Sequence, residues 1–286
     1  MKHDFKFTKY QGCGNDFIIK DEMEGPVTSD TDRSELARKL CDRHFKIGAD
    51  GIIYIEKSKG LDGSMRLFEP AGNEANMCGN GLRCVAAYLA KKLGKDSVEI
   101  MTRDGVKRVT HSGGEYRANL GKVRTHVADL KDYIIGELDS KEGLPVVALR
   151  IGERPILGYV VNSGEPHIVV KSEDVINEDV GMIGESVNKD RTRYPNGVNI
   201  NFVQVVGKHE IKIRTYERGV YNETLACGTG ATAGAYVAHA LKWVEPGVVT
   251  VRAVGGTLRI ELAQDGNAYM SGPAEAEYEG RLVAEV

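Results

Sequence analysis

Apolar side chains recur along this chain mostly in short runs that alternate with polar residues. Ile211 and Ile213, for example, alternate with charged residues, which is the period of a strand with one buried face. Most runs are rich in β-branched and aromatic residues, which favour strands. The pattern predicts strands at 5–8, 17–20, 52–56, 65–69, 98–102, 116–120, 146–151, 157–161, 168–170, 200–206, 211–217, 248–252 and 257–262.

Helical spacing occurs in only three segments. In segment 82–93, apolar residues recur every three or four positions, and Gly94 is expected to end the helix. Segment 32–41 has a shorter apolar face. Segment 231–241 is apolar or small on every side, which is typical of a buried central helix.

A strand, a Cys-Gly-x-Gly turn and a helix follow one another twice. The first turn is Cys78-Gly-Asn-Gly81 and the second is Cys227-Gly-Thr-Gly230. The two cysteines lie 149 residues apart, which is about the length of one domain. The order of elements therefore indicates a duplicated domain, with the polar stretch around 121–132 as the connection.

Composition narrows the class of protein. The chain has 286 residues, of which 41% are hydrophobic and 28% charged, as in ordinary globular proteins. Its formal net charge of −3 includes no basic surplus that would favour nucleic acid or an anionic membrane. The apolar stretches are far shorter than the roughly 18 residues of a membrane-spanning helix. Residues 1–10 lack the apolar run of a signal peptide, so we expect a cytoplasmic protein.

The five cysteines do not form a recognisable disulfide or zinc pattern. Their number is odd, and paired Cys-x-x-Cys spacing is absent from the sequence. We therefore expect free thiols, and no metal site. Cys13, Cys41 and Cys84 are expected to be buried structural residues, because a lone cysteine usually behaves as a small hydrophobic side chain.

Cys78 and Cys227 differ because each immediately precedes a glycine-rich turn that opens a helix. The exposed N–H groups and the helix dipole favour an anion there. A thiol pKa near 8.5 can fall to roughly 3.5–7.5 in such a position, and the same N–H groups could bind a carboxylate. If the two turns faced each other across a cleft, one cysteine could remove a proton while the other returned one. That would invert a stereocentre without a cofactor, and the helix N-termini would offset the developing charge.

Other classes remain open on the residues alone. Gly228-Thr-Gly-Ala-Thr-Ala233 fits a loose G-x-G-x-x-A nucleotide-binding pattern, although regularly alternating strands and helices and a P-loop are missing from the sequence. A hydrolase that pairs a cysteine with His167 would leave the second Cys-Gly turn unexplained. A binding protein with the same duplicated turns would bind its ligand without exchanging a proton.

Several ordered motifs resemble the diaminopimelate epimerase family, and they run nearly from end to end of the chain. They are Gly14-Asn-Asp-Phe17, Cys78-Gly-Asn-Gly-Leu-Arg-Cys84, Pro166-His167, Gly197-Val-Asn199, Tyr216-Glu-Arg-Gly219 and Ala226-Cys-Gly-Thr-Gly-Ala231. The resemblance implies an isomerase that converts LL-2,6-diaminopimelate to the meso form without pyridoxal phosphate or any other cofactor.

The resemblance also implies the architecture. It predicts an α+β fold of two pseudo-symmetric domains, each with β-strands wrapped around a central helix, and an active site in the cleft between them. The first domain would comprise residues 1–122 and 273–286 and carry Cys78. The second would comprise residues 123–272 and carry Cys227. The partners expected are a small amino acid substrate and a second copy of the chain in a homodimer, with Tyr278 at the dimer contact.

Roles for individual residues follow from the same resemblance. Cys78 and Cys227 would be the catalytic acid and base, and His167 and Glu217 would tune their pKa values. The reacting carboxylate and amine would be held by Gly79, Asn80, Gly228 and Thr229. Asn15 and Asn199 would contact substrate, and Glu217 and Arg218 would bind its distal amino acid end, with Arg218 on the carboxylate.

Three positions depart from the family pattern. Glu69 and Glu165 stand where asparagines are usual, and Gly51 stands where a glutamine often follows the aspartate. In the family the first two positions serve the distal end of the substrate. Two carboxylates there would favour a more cationic side chain. An alternative substrate is therefore lysine, ornithine or histidine, although Arg218 and Asn199 favour diaminopimelate.

Overall fold

The computed structural model describes residues 5–151 and 154–282, with the backbone alone described for Ile151 and Arg154. Strands dominate these two described stretches, which also contain four α-helices. In chain order the elements are β1 (Phe5–Gly12), β2 (Asn15–Asp21), α1 (Asp30–Leu40), β3 (Gly51–Glu56), β4 (Gly63–Phe68), β5 (Glu74–Ala75), α2 (Gly79–Leu93), β6 (Ser97–Thr102), β7 (Gly105–Ser112), β8 (Glu115–Lys122), β9 (Asp139–Lys141), β10 (Leu144–Ile151), β11 (Arg154–Asn162), β12 (Pro166–Lys171), α3 (Val180–Lys189), β13 (Asn199–Gly207), β14 (Glu210–Glu217), β15 (Asn222–Thr224), α4 (Gly228–Ala240), β16 (Val249–Ala253), β17 (Gly256–Leu262), β18 (Asn267–Gly272) and β19 (Glu275–Leu282). Two short 3₁₀ turns lie at Val127–Asp129 and Val175–Asn177.

The chain divides into two compact units. The first unit is Met1–Asn119 together with Ser271–Val286, and the second unit is Leu120–Met270. In the first unit, β1 pairs antiparallel with both β19 and β2. Strand β2 also pairs with β3 in parallel, and β3 pairs with β4 in antiparallel orientation. Strand β4 has two further partners, β5 in antiparallel and β6 in parallel orientation. A further antiparallel pairing joins β6 to β7.

The second unit repeats this succession of pairings. Here β12 pairs parallel with β13, β13 antiparallel with β14, and β14 both antiparallel with β15 and parallel with β16. An antiparallel pairing joins β16 to β17, as β6 is joined to β7. The internal repeat in the sequence is therefore also a repeat of strand order and direction.

One helix lies at the centre of each unit. Helix α2 contacts β1, β2, β4, β6 and β7, and its residues 79–87 are all buried. Helix α4 contacts β11, β12, β13, β14, β16 and β17. Small residues allow this close packing, since a Cβ atom at Gly234 would lie 3.1 Å from side-chain carbons of both Ile213 and Val203. The predicted α+β class, with strands around a central helix, is confirmed.

The three predicted helices are present, but they begin earlier than predicted. Helices α2 and α4 begin at Gly79 and Gly228, because the glycine-rich turns form their first helical turns. Helix α1 begins at Asp30, with the Ser29 hydroxyl accepting from the N–H of Asp32. Helix α3 was not predicted, since its two glycines weaken helix propensity. Within the described part of the chain, none of the helices is long and apolar enough to cross a membrane.

Candidate active site

Cys78 is the N-cap residue of α2. Its backbone is extended (φ −137°, ψ 121°), and its Sγ accepts a hydrogen bond from the N–H of Gly81 at 3.5 Å. The N–H groups of Gly79 and Asn80 belong to the first turn of α2, at the N-terminal end of the helix. A Cβ atom at Gly81 would lie 3.0 Å from Cδ1 of Ile53, so glycine lets this turn approach the sheet. The turn thus presents a sulfur atom together with amide donors.

Asn15 is held against this turn with a defined orientation. Its Oδ1 accepts from Asn80 Nδ2 at 3.2 Å and from the Cys78 thiol at 3.6 Å. Its Nδ2 donates to Oδ2 of Asp50 at 2.7 Å. A carboxylate can accept hydrogen bonds but cannot donate them, so the amide nitrogen of Asn15 must face Asp50. The amide oxygen of Asn15 is therefore directed toward the Cys78 sulfur. No sequence pattern marks Asp50, because it lies 35 positions from Asn15 and contacts it only in the folded chain.

Two departures from the family pattern have direct structural consequences. Glu69 is half-buried in the turn between β4 and β5, where its Oε2 accepts from the side-chain amide of Asn73. A Cβ atom at Gly51 would lie 2.7 Å from Cδ1 of Leu67 and 3.0 Å from the carbonyl oxygen of Phe68. A side chain at position 51 would therefore collide with β4, and this position contributes no polar group.

Cys227 is the N-cap residue of α4, as Cys78 is of α2. Its Sγ accepts from the N–H of Gly230 at 3.3 Å and lies 3.4 Å from Oγ1 of Thr229. The carbonyl oxygen of Thr229 accepts from the hydroxyl of Ser163 at 2.8 Å, which anchors the first turn. The residue is 8% exposed, so its sulfur lies in a more enclosed setting than that of Cys78.

The pKa of Cys227 is raised well above its ordinary value. Burial is the largest cause, followed by the negative charge of Glu217. Hydrogen bonds from Thr229 and from the N–H of Gly230 act in the opposite direction but do not compensate. The expectation that the helix N-terminus would lower this pKa is therefore wrong for Cys227. Desolvation and a neighbouring carboxylate outweigh the helix dipole, so the sulfur is a thiol near neutral pH.

Glu217 and Arg218 lie together at the end of β14. Glu217 accepts from the hydroxyl of Thr224. The guanidinium of Arg218 donates through Nε and Nη2 to Oε2 of Glu165, at 2.8 Å from Nε, and through Nη1 to the carbonyl oxygen of Asn196 at 3.1 Å. Three of its five N–H donors are engaged in these contacts. Arg218 is therefore ion-paired with the carboxylate of Glu165.

His167 is fully buried between two asparagines. Its Nδ1 lies 3.0 Å from Nδ2 of Asn201, and its Nε2 lies 3.4 Å from Nδ2 of Asn199. Burial, followed by the charge of Arg218, lowers its pKa to about 3. The ring is thus neutral at physiological pH. Asn199 also accepts the backbone N–H of Arg218 at 2.8 Å, so it links the histidine to the arginine.

The remaining candidates fall outside these two clusters. Burial raises the pKa of Cys13, Cys41 and Cys84, to about 12 for Cys41, as expected of structural thiols. Tyr278 is 49% exposed on β19. Among the described residues there is no cluster of His, Cys, Asp and Glu suited to a metal ion. A cavity of about 380 Å³ beside α3, lined in part by Tyr216 and Arg191, contains none of the predicted site residues.

Comparison with known proteins decides the family. The diaminopimelate epimerase family profile matches residues 7–126 and 159–277, in both units. The chain belongs to the diaminopimelate epimerase family. The matched stretches include every predicted site residue except Tyr278. The diaminopimelate epimerase of Methanocella arvoryzae is 41% identical over 285 residues, covering 97% of this chain and 96% of that protein. That of Halothermothrix orenii is 37% identical over 289 residues, covering 98% of each.

Solved structures of other named proteins share this fold. A probable proline racemase from Agrobacterium radiobacter aligns with a TM-score of 0.71 at 15% identity, covering 98% of this chain and 93% of that one. A PhzF-family phenazine biosynthesis protein from Bacillus anthracis aligns with a TM-score of 0.67 at 17% identity, covering 99% and 100%. At these identities the likeness concerns the fold alone.

Proposed function

We propose that this protein epimerises LL-2,6-diaminopimelate to meso-diaminopimelate without a cofactor, and that Cys78 and Cys227 are its base and acid. Family membership supports the reaction. One observation supports the chemistry: each unit carries a cysteine as N-cap of its central helix, with Sγ hydrogen-bonded to the third amide of the helix. We also propose two epimerase domains, residues 1–122 with 273–286 and residues 123–272, whose bounds differ by two or three residues from those of the compact units.

The reaction follows from the properties of these groups. Cys78, as a thiolate, removes the α-proton of the substrate, and Cys227, as a thiol, delivers a proton to the opposite face of the same carbon. The raised pKa of Cys227 supports its role as the acid. Negative charge that develops on the substrate carboxylate is offset by helix N–H groups. We assign this contact to the amides of Gly79, Asn80, Gly228 and Thr229.

The distal end of the substrate is assigned to the second unit. Diaminopimelate carries an ammonium and a carboxylate at its far end. Glu217 and Glu165 suit the ammonium, and the two remaining N–H donors of Arg218 suit the carboxylate. Asn199 would complete this site, and Asn15 would contact substrate from the first unit. We also assign Glu69 to the distal end and keep His167 as a neutral group that affects cysteine pKa values.

A second candidate function is racemisation of a cationic amino acid such as lysine, ornithine or histidine. The observation that favours it is the ion pair between Arg218 and Glu165, which compensates the positive charge that would attract a distal carboxylate. Glu69 adds a further carboxylate in the first unit. Diaminopimelate remains the first choice, because its zwitterionic distal end can use both members of the pair.

Exchange of the α-proton in D₂O tests the reaction directly. Solvent deuterium should enter the α-carbon of LL-diaminopimelate as the meso form appears, and Cys78→Ala and Cys227→Ala should each abolish epimerisation. Cys41→Ala, which removes a buried thiol outside the site, is the matched control and should retain activity. Near wild-type turnover in either catalytic variant would refute the two-cysteine mechanism. Turnover of lysine or histidine without any turnover of LL-diaminopimelate would establish the second candidate instead.

Glu165→Gln tests the distal site. The amide keeps the size of the side chain but removes the charge that compensates Arg218. The ratio of kcat/KM for diaminopimelate to that for lysine should therefore rise by about tenfold, which corresponds to about 1.4 kcal/mol. An unchanged ratio would place Glu165 outside the substrate site.

We propose a homodimer that uses the face of β19 around Tyr278. Residues 275–279 of this strand are all exposed, and the Tyr278 ring packs edge-on against Phe7 at a centroid distance of 6.1 Å. Sedimentation velocity of the full chain would reveal a monomer if this proposal is wrong. Because the chemistry needs two reduced thiols, we place the protein in the cytoplasm, which fractionation of the source cells can test.

A further inference from the structure

Asp50 immediately precedes β3 and lies beside the start of β2, where Asn15 is located. The parallel pairing of these strands sets Phe17 opposite Gly51, and the residues before them continue the register. The N–H of Asp50 donates to the carbonyl oxygen of Asp16 at 2.9 Å, and the N–H of Asp16 donates to Oδ2 of Asp50 at 3.1 Å. Backbone pairing therefore brings the Asp50 carboxylate to Asn15 in the folded chain.

The Asp50 carboxylate is itself held in one orientation. Its Oδ2 accepts from Nδ2 of Asn15 at 2.7 Å as well as from the N–H of Asp16, and its Oδ1 accepts from Nη2 of Arg43 at 2.6 Å. Arg43 also donates to the carboxylate of Asp16, which is ion-paired with the buried Lys9 at 2.7 Å. Because both of its oxygens have donors, the Asp50 carboxylate is a fixed acceptor for Asn15.

Asn15 is fixed at its backbone and at both ends of its side chain. It follows a two-residue hairpin turn in which Cys13 and Gly14 have positive φ values of 56° and 80°. Its Nδ2 faces Asp50, and its Oδ1 lies 3.6 Å from Sγ of Cys78. If the amide were reversed, its oxygen would face the carboxylate without a proton between them, and its nitrogen would face the sulfur. The contact with Asp50 thus decides which atom of Asn15 the sulfur meets.

We propose that Asp50 is a positioning residue that acts through Asn15, whose amide oxygen receives the S–H that Cys78 gains from the substrate. In that step the α-C–H bond breaks, an S–H bond forms, and the electron pair of the broken bond stays with the substrate. An acceptor that faces the sulfur favours the thiol over the thiolate, so it makes Cys78 a stronger base. The catalytic meaning of this inference rests on the proposed function, whereas the effect of Asp50 on the thiol does not.

Other charged and titratable groups surround Asp50 and Cys78. They are Lys9 of β1, Cys13 of the turn between β1 and β2, Asp16 of β2, Cys41 and Arg43 after α1, and Arg83 and Cys84 of α2. Removal of Asp50 also removes a negative charge from this cluster, which by itself would favour the thiolate of Cys78. A double-mutant cycle separates the two effects, because a charge effect persists without Asn15 and a positioning effect does not.

Site-resolved alkylation with iodoacetamide between pH 5 and 10, read by peptide mass spectrometry, tests the proposal. Asp50→Ala and Asn15→Ala should each lower the alkylation midpoint of Cys78 by about 0.5 to 1 pH unit, as expected for loss of one hydrogen bond to the thiol. Alkylation at a pH below both midpoints should then accelerate about three- to tenfold. In the Asn15→Ala background, Asp50→Ala should shift the midpoint less than half as far as in the wild type. The profile of Cys227, on the other unit, is the internal control and should not change.

Two results would overturn the proposal. One is a folded Asp50→Ala variant, with wild-type circular dichroism, in which the Cys78 midpoint is unchanged or higher. The other is an equal shift with and without Asn15, which would make Asp50 a source of charge only. If Asp50→Ala does not fold, Asp50→Ser takes its place with the same criteria, because its hydroxyl can still accept from Asp16 while its side chain is one bond shorter toward Asn15. Alkylation requires no turnover, so failure of the proposed function is distinguishable from failure of this inference.

Discussion

Replacement of Glu217 by glutamine should make Cys227 more reactive and the enzyme less active. The negative charge of Glu217 raises the pKa of Cys227, and among the causes of this rise only burial is larger. A hydrogen bond between the two side chains acts in the same direction. Glutamine has the same shape as glutamate, and its amide oxygen can accept the hydrogen bond that the hydroxyl of Thr224 donates to Glu217. The substitution therefore removes a charge while it preserves the packing of the hairpin between β14 and β15.

The expected magnitude follows from Coulomb's law. Two unit charges 4 Å apart near a protein surface interact by about 4 kcal/mol. Glu217 is only half-buried, so solvent screens a large part of this energy. If about a third of this interaction energy remains after screening, removal of the Glu217 charge lowers the pKa of Cys227 by about one unit. The thiolate of Cys227 then becomes about tenfold more populated at a pH below its pKa. Alkylation of Cys227 at pH 7 should accelerate by that factor.

Catalysis should change in the opposite direction. Glu217 is also assigned to the distal ammonium, and glutamine cannot form an ion pair with that group, whereas Cys227 remains mostly a thiol at pH 7. Epimerisation at pH 7 should therefore fall at least about tenfold while alkylation of Cys227 rises. Glu223→Gln, which removes a carboxylate that pairs with Arg214 on the same hairpin, is the matched control. If Cys227 is alkylated at the wild-type rate or more slowly in Glu217→Gln, the electrostatic reasoning is wrong.

Two further predictions concern stability. Gly184→Ala should lower the free energy of unfolding by about 1–3 kcal/mol, because its Cβ would overlap the ring of Tyr216; Gly181→Ala in the same helix meets no atom within 4 Å and should be neutral or stabilising. Equal melting temperatures for the two variants would contradict this packing. Between pH 6.5 and 3, His167 takes up a proton only in the unfolded chain, because burial keeps its imidazole neutral in the folded protein. As the pH falls through this range, the free energy of unfolding of the wild type should therefore decrease by about 1.4 kcal/mol per pH unit because of this residue. His167→Gln should lose stability less steeply in urea titrations across that range, and parallel pH profiles would refute this assignment.

Periodicity and turn chemistry made much of the fold predictable. Helices α2 and α4 and most strands are long enough for their apolar spacing to be read in the sequence. Strands β5 and β15 have two and three residues, which is too short for any period, and both were missed. Helix α3 was also missed, because packing of Gly184 against Tyr216 stabilises it despite weak local propensity.

The two cysteine-capped helix N-termini were predictable from the sequence, but the electrostatics around them were not. The Cys-Gly-x-Gly turns identify both sulfur atoms, because a helix N-terminus is a local feature. The raised pKa of Cys227 depends on burial and on Glu217, which only tertiary structure specifies. The same holds for the ion pair of Glu165 and Arg218, which are 53 positions apart in the sequence. Local sequence patterns thus identify the cysteine-capped helices, whereas contacts between residues far apart in the sequence determine the charges around them.

The use of cysteine as a helix cap should itself have a measurable consequence. Serine and threonine are preferred N-caps, whereas a thiol is a weak acceptor, so α2 begins with a poor cap at Cys78. Cys78→Ser should therefore stabilise the fold by about 0.5–1 kcal/mol relative to Cys78→Ala, while both variants lose epimerisation because a hydroxyl is a far weaker base. Urea denaturation of the two variants, beside activity assays, separates capping from catalysis. A serine variant no more stable than the alanine variant would mean that the hydrogen bond from Gly81 to the side chain at position 78 does not cap the helix.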